Sequence, residues 1–322
     1  MNQTVTSFLI LGFQNIQPVN TLLFIVIICI YILTLVVNFL LIILVVTVPA
    51  LRSPMYVLLS QLFLSDILLT TNITPNLLWL LLSGGGKIYC LLLTVMSYDR
   101  YLAICNPLRY GSIMVFRLCL YMSFWCWVLS FMVSLVLVLL ISHLQFCGRS
   151  VLDHYFCDLS PLLELSCSSK NVLELTDIIF TIPFILFPFC FILFTYISIG
   201  LTILRISSTN GRHKAFSTCS SHLIVVCTYY GMLITIYLVP AKDYTFNMNK
   251  MLSLLYTVGT PFLNPVIYSL RNKQIKVALQ KCMSSFLVRL FHSIFERTNN
   301  HNRLRKTLLL LFSYLINVSN YH

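Results

Sequence analysis

The sequence predicts an all-α membrane protein: a bundle of seven transmembrane helices, the third of them truncated, with a short amphipathic cytoplasmic helix after the seventh. Three observations carry this. Of 322 residues, 58% are hydrophobic and only 9% charged, against about 25% charged in soluble domains, so the chain cannot clothe itself in a solvated surface. The apolar residues gather in runs long enough to cross a hydrocarbon core of about 30 Å. The cations fall between those runs, with a strong bias to one side.

Taken in order, residues 1–21 form an extracellular amino terminus. They lack the charged start and compact apolar core of a cleavable signal. Asn2-Gln3-Thr4 is a glycosylation sequon, which suits a translocated end with Asn2 modified. A second sequon, Asn72-Ile73-Thr74, lies at membrane depth, out of a transferase's reach. Residues 22–270 hold the transmembrane bundle. Its full-length runs are Leu22–Val48, Met55–Leu82, Leu118–Ile141, Ile178–Leu204, Ala215–Val239 and Met251–Leu270. Leu118–Ile141 carries no charge and two tryptophans, Trp125 and Trp127. Ile178–Leu204 contains Pro183 and Pro188, tolerated where neighbouring helices satisfy the carbonyls a proline frees. Residues 271–322 form a cytoplasmic tail. It opens with Ile275, Ala278, Leu279 and Cys282 on one stripe and Lys273, Lys276 and Lys281 around it, a pattern for a helix lying on the anionic inner leaflet. Further on, Thr307–Val318 is apolar but too short to span.

The remaining run, Ile88–Cys105, is the defective one. Between Lys87 and Asp99 it offers eleven apolar residues, Ile88 to Tyr98, or about 16 Å of helix. Gly84-Gly85-Gly86-Lys87 before it is not a phosphate-binding loop, because Ile88 stands where Ser or Thr is required and no strand precedes it. With the amino terminus outside, 16 of the 21 Lys and Arg residues fall on the cytoplasmic side and five outside. That split fixes the orientation and accounts for the net charge of +12 without any nucleic-acid partner.

Several residues carry chemistry. Asp99-Arg100 is a charge pair at the cytoplasmic end of the third run, readable as a stop-transfer charge or as a switch. Asp66 sits within the second run, and an intramembrane carboxylate marks either a functional site or an inter-helix hydrogen bond. Asn38 and Asn264 are its polar partners by type. Pro265 frees a carbonyl and builds a bendable point into the last run. Most of the twelve cysteines sit in apolar runs as soft packing residues. Cys147, Cys157 and Cys167 instead share the long extracellular link 142–177 with His154, where an oxidising compartment favours disulfides over zinc. No metal, cofactor or enzyme motif stands out, and there are no matching interrupted repeats of a transporter or channel.

Four stretches in order carry a resemblance: Pro54-Met55-Tyr56; Met96-Ser97-Tyr98-Asp99-Arg100-Tyr101-Leu102-Ala103-Ile104-Cys105-Asn106-Pro107-Leu108; Lys214-Ala215-Phe216-Ser217-Thr218-Cys219-Ser220-Ser221-His222-Leu223; and Pro261 through Asn272. Over roughly residues 4–285 the chain resembles the olfactory receptors, within the rhodopsin-like G-protein-coupled receptors. The resemblance implies a plasma-membrane receptor for a small apolar, odorant-like ligand that activates a heterotrimeric G protein. It assigns the switch to Asp99, Arg100, Tyr101, Asn264, Pro265 and Tyr268, and a polar core, sodium-binding in related receptors, to Asn38 and Asp66. It pairs Cys147 with Cys167. Ligand entry among the third, fifth, sixth and seventh helices suggests Phe180, Phe184, Tyr230, Ile234 and Tyr237 as pocket lining, with lipid or helix packing as the alternative for each.

In that family Cys157 is tied to a cysteine at the outer end of the third helix, about 25 residues before Arg100. This chain has Pro75 there. The outer half of the third helix is therefore read as missing between Lys87 and Tyr89. A rival reading follows: a non-signalling, misfolded product of a degraded olfactory receptor locus. An eleven-residue span falls about 14 Å short of the bilayer. It predicts mixed topology and retention in the endoplasmic reticulum.

Overall fold

The computed structural model describes residues 9–10, 17–71, 85–144, 151–152, 166, 175–176, 178–179, 182–238 and 254–297. Among these the chain is almost wholly helical: α1 (Gln17–Thr47), α2 (Pro54–Thr71), α3 (Gly85–Cys105), α4 (Pro107–Ile113), α5 (Phe116–Ser142), α6 (Phe187–Arg205), α7 (Thr209–Leu238), α8 (Thr260–Arg271) and α9 (Lys273–Arg297). A pair of two-residue parallel strands, Leu9–Ile10 and Val151–Leu152, is the only sheet described.

Six of these helices (α1, α2, α3, α5, α6 and α7) are long and apolar enough to cross a membrane. The seventh segment is the π-helical turn Leu255–Gly259 running into α8. Together they form the expected seven-helix bundle. α1, α5 and α6 turn broad apolar faces outward, with Phe39, Phe124 and Phe194 all exposed, as lipid contact requires. The core lies along α3, which packs against α2, α5, α6 and α7.

α3 corrects the expectation of a half-length third span. It is continuous over 21 residues, about 31 Å of helix, and the stretch Lys87–Cys105 qualifies as a span. The count of eleven residues stopped at Asp99. In the fold Asp99 and Arg100 neutralise each other within the helix, 2.9 Å apart, so the backbone runs on through them to Cys105.

The prolines shape the fifth and seventh segments. Each π turn, Ile182–Leu186 and Leu255–Gly259, lies just before a proline, Pro188 or Pro261. A proline cannot donate to the carbonyl four residues back. Those carbonyls, at Phe184 and Thr257, fall inside the turns, which widen locally in response.

α9 also differs from its expected seating. Ile275 and Ala278 are buried and Leu279 packs on the core. The helix docks against α8 and the short turn Pro49–Leu51. Its apolar stripe therefore meets the bundle; Val277, Cys282 and Met283 remain exposed.

Candidate functional site

Two sites lie along the bundle axis. The first starts from Arg100, whose Nη2 is 2.9 Å from Asp99 Oδ2. The hydroxyl of Tyr110 on α4 donates to Asp99 Oδ1 at 2.8 Å. Pro107 supplies the fixed φ that starts α4 one residue after Asn106, which brings Tyr110 back over the end of α3. Burial, then the Asp99 charge, push the Tyr110 phenol well up, so at neutral pH it stays protonated and remains a donor. Both charges are buried, Asp99 fully and Arg100 to within 6%. A paired guanidinium held this way is an element with an alternative: it can exchange Asp99 for another acceptor. Tyr101 is half-buried and packs on the core. Close by, Tyr196 on α6 and His222 on α7 stack, with the tyrosine hydroxyl 2.6 Å from His222 Nδ1.

The polar core sits farther along. Asn264 Nδ2 donates to Asp66 Oδ1 at 3.1 Å and Oδ2 at 3.4 Å. Asn38 is not the partner of Asp66 that its residue type suggested. Its Nδ2 donates to the Pro261 carbonyl at 3.2 Å and to Thr34 O at 2.9 Å. The reason is Pro265: having no N–H, it leaves the carbonyl four residues back, that of Pro261, without its helical donor. Asn38 supplies that donor from α1. Tyr268, also buried, lies edge-on to Phe63 with ring centroids 6.2 Å apart. Among the described residues no group of three or more His, Cys, Asp or Glu side chains could hold a metal ion.

At the opposite end from Arg100, the three predicted pocket residues that are described, Phe184, Tyr230 and Ile234, have different surroundings. Tyr230 is buried, with Phe189 at 4.9 Å between ring centroids. Phe184 packs instead beside Val133 and Leu137 on α5, and Ile234 is 45% exposed. Phe180 and the Tyr237 side chain lie outside the described residues, as do Asn2, Cys147, Cys157 and Cys167. The residues gathered around Tyr230 are ones the sequence did not single out: Tyr89, Cys90, Phe189, Tyr229 and Tyr256. Tyr89 stacks on Tyr229 at 5.6 Å. The Tyr229 hydroxyl stands 3.4 Å from both Cys90 Sγ and the Tyr256 hydroxyl. The doublet Tyr229-Tyr230 was the available signal, because neighbouring positions on a helix face different partners.

Comparison with known proteins agrees with this arrangement. The profile of the family described as "Olfactory receptor" matches residues 89–285. Olfactory receptor 11L1 of Homo sapiens is 43% identical over 298 residues, covering 87% of this chain and 92% of that protein. Olfactory receptor 6P1 of Homo sapiens is 40% identical over 295 residues, 86% and 93% of the two chains. Olfactory receptor 226 of Rattus norvegicus is 40% identical over 301 residues, 87% and 92%. The aligned positions outnumber the residues this chain brings to them, 298 against 87% of 322, so the human relative carries residues that this chain lacks. The family match itself opens at residue 89, where the sequence places the missing part of the third helix. With its helical bundle, its buried Asp99–Arg100 pair and relatives aligned over most of its length, the chain belongs to the olfactory receptor family.

Proposed function

We infer that the protein is an odorant receptor that binds a small, largely apolar ligand and activates a heterotrimeric G protein at the plasma membrane, with its amino terminus outside. The observation that carries this reading is the Arg100 assembly: a buried guanidinium paired to Asp99, with Tyr110 holding the far side of that carboxylate. A buried ion pair contributes little net stability, so its value lies in having two states. In one, Asp99 holds Arg100; in the other, Arg100 is released to accept the G protein as α6 and α7 shift. Asn264 and Pro265 give the seventh segment its bend, and Asp66, Asn38 and Tyr268 anchor it. Ligand contact falls to the tyrosine cluster around Tyr230. Phe184, Ile234, Phe180 and Tyr237 stand as outer contacts.

The test is Arg100→Ala in cells carrying a cyclic-nucleotide reporter and exposed to a panel of volatile apolar compounds. Loss of the response at matched surface level is the expected result; an unchanged response removes the coupling role. A second reading, a non-signalling product of a degraded receptor locus, is favoured by the residues that the human relative carries and this chain lacks. It is tested by surface delivery of the unmodified chain, since a receptor that never leaves the endoplasmic reticulum cannot meet an odorant.

A further inference from the structure

We propose that Tyr56 is a positioning residue of the switch: its hydroxyl latches the Arg271 end of α8 to α2 and so opposes the bend at Pro265. The proposal rests on the receptor reading above and adds a regulating contact to it.

Pro54-Met55-Tyr56 opens α2. Pro54 stands at the first helical position, where a missing N–H costs nothing, and the first turn buries Tyr56 to 2% exposure. A phenylalanine would fill the same space, so packing alone does not require the hydroxyl. Its oxygen lies 3.0 Å from Asn272 Oδ1 and 2.7 Å from Gln274 Oε1. A phenol has a single proton to give to these two oxygens. Turning the Gln274 amide over, so that its nitrogen donates to Tyr56 and Tyr56 donates to Asn272, satisfies all three groups. Asn272 Oδ1 also accepts from the backbone N–H groups of Gln274 and Ile275, at 3.0 and 3.2 Å, which makes Asn272 the N-cap of α9. Its own N–H donates to Tyr268 O and closes α8. Tyr56 therefore grips the one residue on which α8 ends and α9 begins.

The seventh segment is thus held to α2 twice. Asn264 donates to Asp66 deeper in the bundle, and Asn272 accepts from Tyr56 at the other end. The two attachments are about 12 Å apart along α8 and about 15 Å apart along α2. Pro265 falls between them, directly after Asn264. A swing of the residues beyond Pro265 away from α2 must break the Tyr56 contact and can leave the Asp66 contact in place. The Tyr56 contact accompanies the state in which Asp99 holds Arg100, and an interaction made in one of two states shifts the balance toward that state. α9 moves with the junction. Ile275 is 1% exposed, and its helix packs against the Pro49–Leu51 turn just before α2, so lifting Asn272 uncovers Ile275.

The test reads the contact in the full chain in nanodiscs and the switch in cells carrying a cyclic-nucleotide reporter. An Ile275→Cys parent is treated with a water-soluble maleimide, and labelling is followed by mass at the peptide that carries position 275. Tyr56→Phe, which keeps the ring, should speed that labelling by about fivefold, the scale of one neutral hydrogen bond. Asn272→Ala should also label faster, and the two changes together no faster than Asn272→Ala alone. Asn272→Asp, which keeps both the cap and the acceptor, should label at the parent rate. In cells at matched surface level, Tyr56→Phe should raise ligand-independent output by a similar factor, and Asn272→Asp should not. Unchanged labelling in Tyr56→Phe, or additive gains in the pair, overturns the proposal. Faster labelling without a rise in output, in a chain that answers the volatile panel, overturns it as well. The expected labelling pattern with no response from any variant to any compound removes the receptor reading and leaves the Tyr56 latch standing.

Discussion

Asn38 and Tyr110 each supply one tie between elements, to the Pro261 carbonyl and to Asp99 Oδ1. Replacing Asn38 by Ala leaves the Pro261 carbonyl, buried on α8, without the donor that Pro265 already denies it. A buried acceptor orphaned in this way costs about 1–3 kcal/mol, and the purified protein should melt correspondingly earlier; an unchanged midpoint would show that another donor steps in. Tyr110→Phe removes the phenol from Asp99 Oδ1 and weakens the hold on Arg100. Ligand-independent cyclic-nucleotide production should rise severalfold at equal surface level, and a fall would reverse the assigned sign. The charged and amide members of these sites were legible in the sequence, because Asp66, Asp99, Arg100 and Asn264 stand out against apolar runs. Tyr89 and Tyr256 were not. A tyrosine within an apolar run suits lipid, core or ligand equally well, and only the packing of α3 against α7 decides among them.

α3 shows how counting can mislead at the scale of an element. Charge marks a span's end when it is unpaired, and the sequence reading ended the third span at Asp99 on that rule. The adjacent pair in fact neutralises itself inside the helix. The continuous 21-residue helix predicts one topology, in place of the mixture that eleven residues implied. Glycosylation acceptors placed in the 142–177 loop should be modified in all molecules, and acceptors in the tail in none. A divided pattern would return α3 to the half-span reading. α9 carries the complementary lesson. Its stripe of Ile275, Ala278 and Leu279 was legible as amphipathic, but the pattern does not say which apolar surface receives it. The bundle does so here, at α8 and the Pro49–Leu51 turn.

For the whole molecule, the residues that its human relative carries and this chain lacks set the questions of surface delivery and loop chemistry. The family resemblance would tie Cys157 to a cysteine of the third helix, about where this chain has Pro75, and would pair Cys147 with Cys167. Inserting a helical segment that carries a cysteine between Lys87 and Ile88 should raise surface delivery severalfold and render Cys157 inaccessible to thiol reagents. No gain in either would show that the missing segment is not what limits this chain. The seven-helix architecture was legible from hydropathy and charge placement, which are read from the order of residues along the chain. The inter-helix geometry was not, since partners such as Asn38 and Pro261 are set by a proline distant in sequence. Those cross-links share a placement: Asn38 to Pro261, Asp66 to Asn264, Gln61 to Trp127, Tyr196 to His222 and Cys105 to Thr202 all fall within about four helical turns of the Arg100 end. A second set, Cys90 to Tyr229 and Tyr229 to Tyr256, ties α3, α7 and the seventh segment farther from that end. Cys90 and Cys105 place one tie near each end of α3, so a shift of that single helix is felt by α7 and α6 alike.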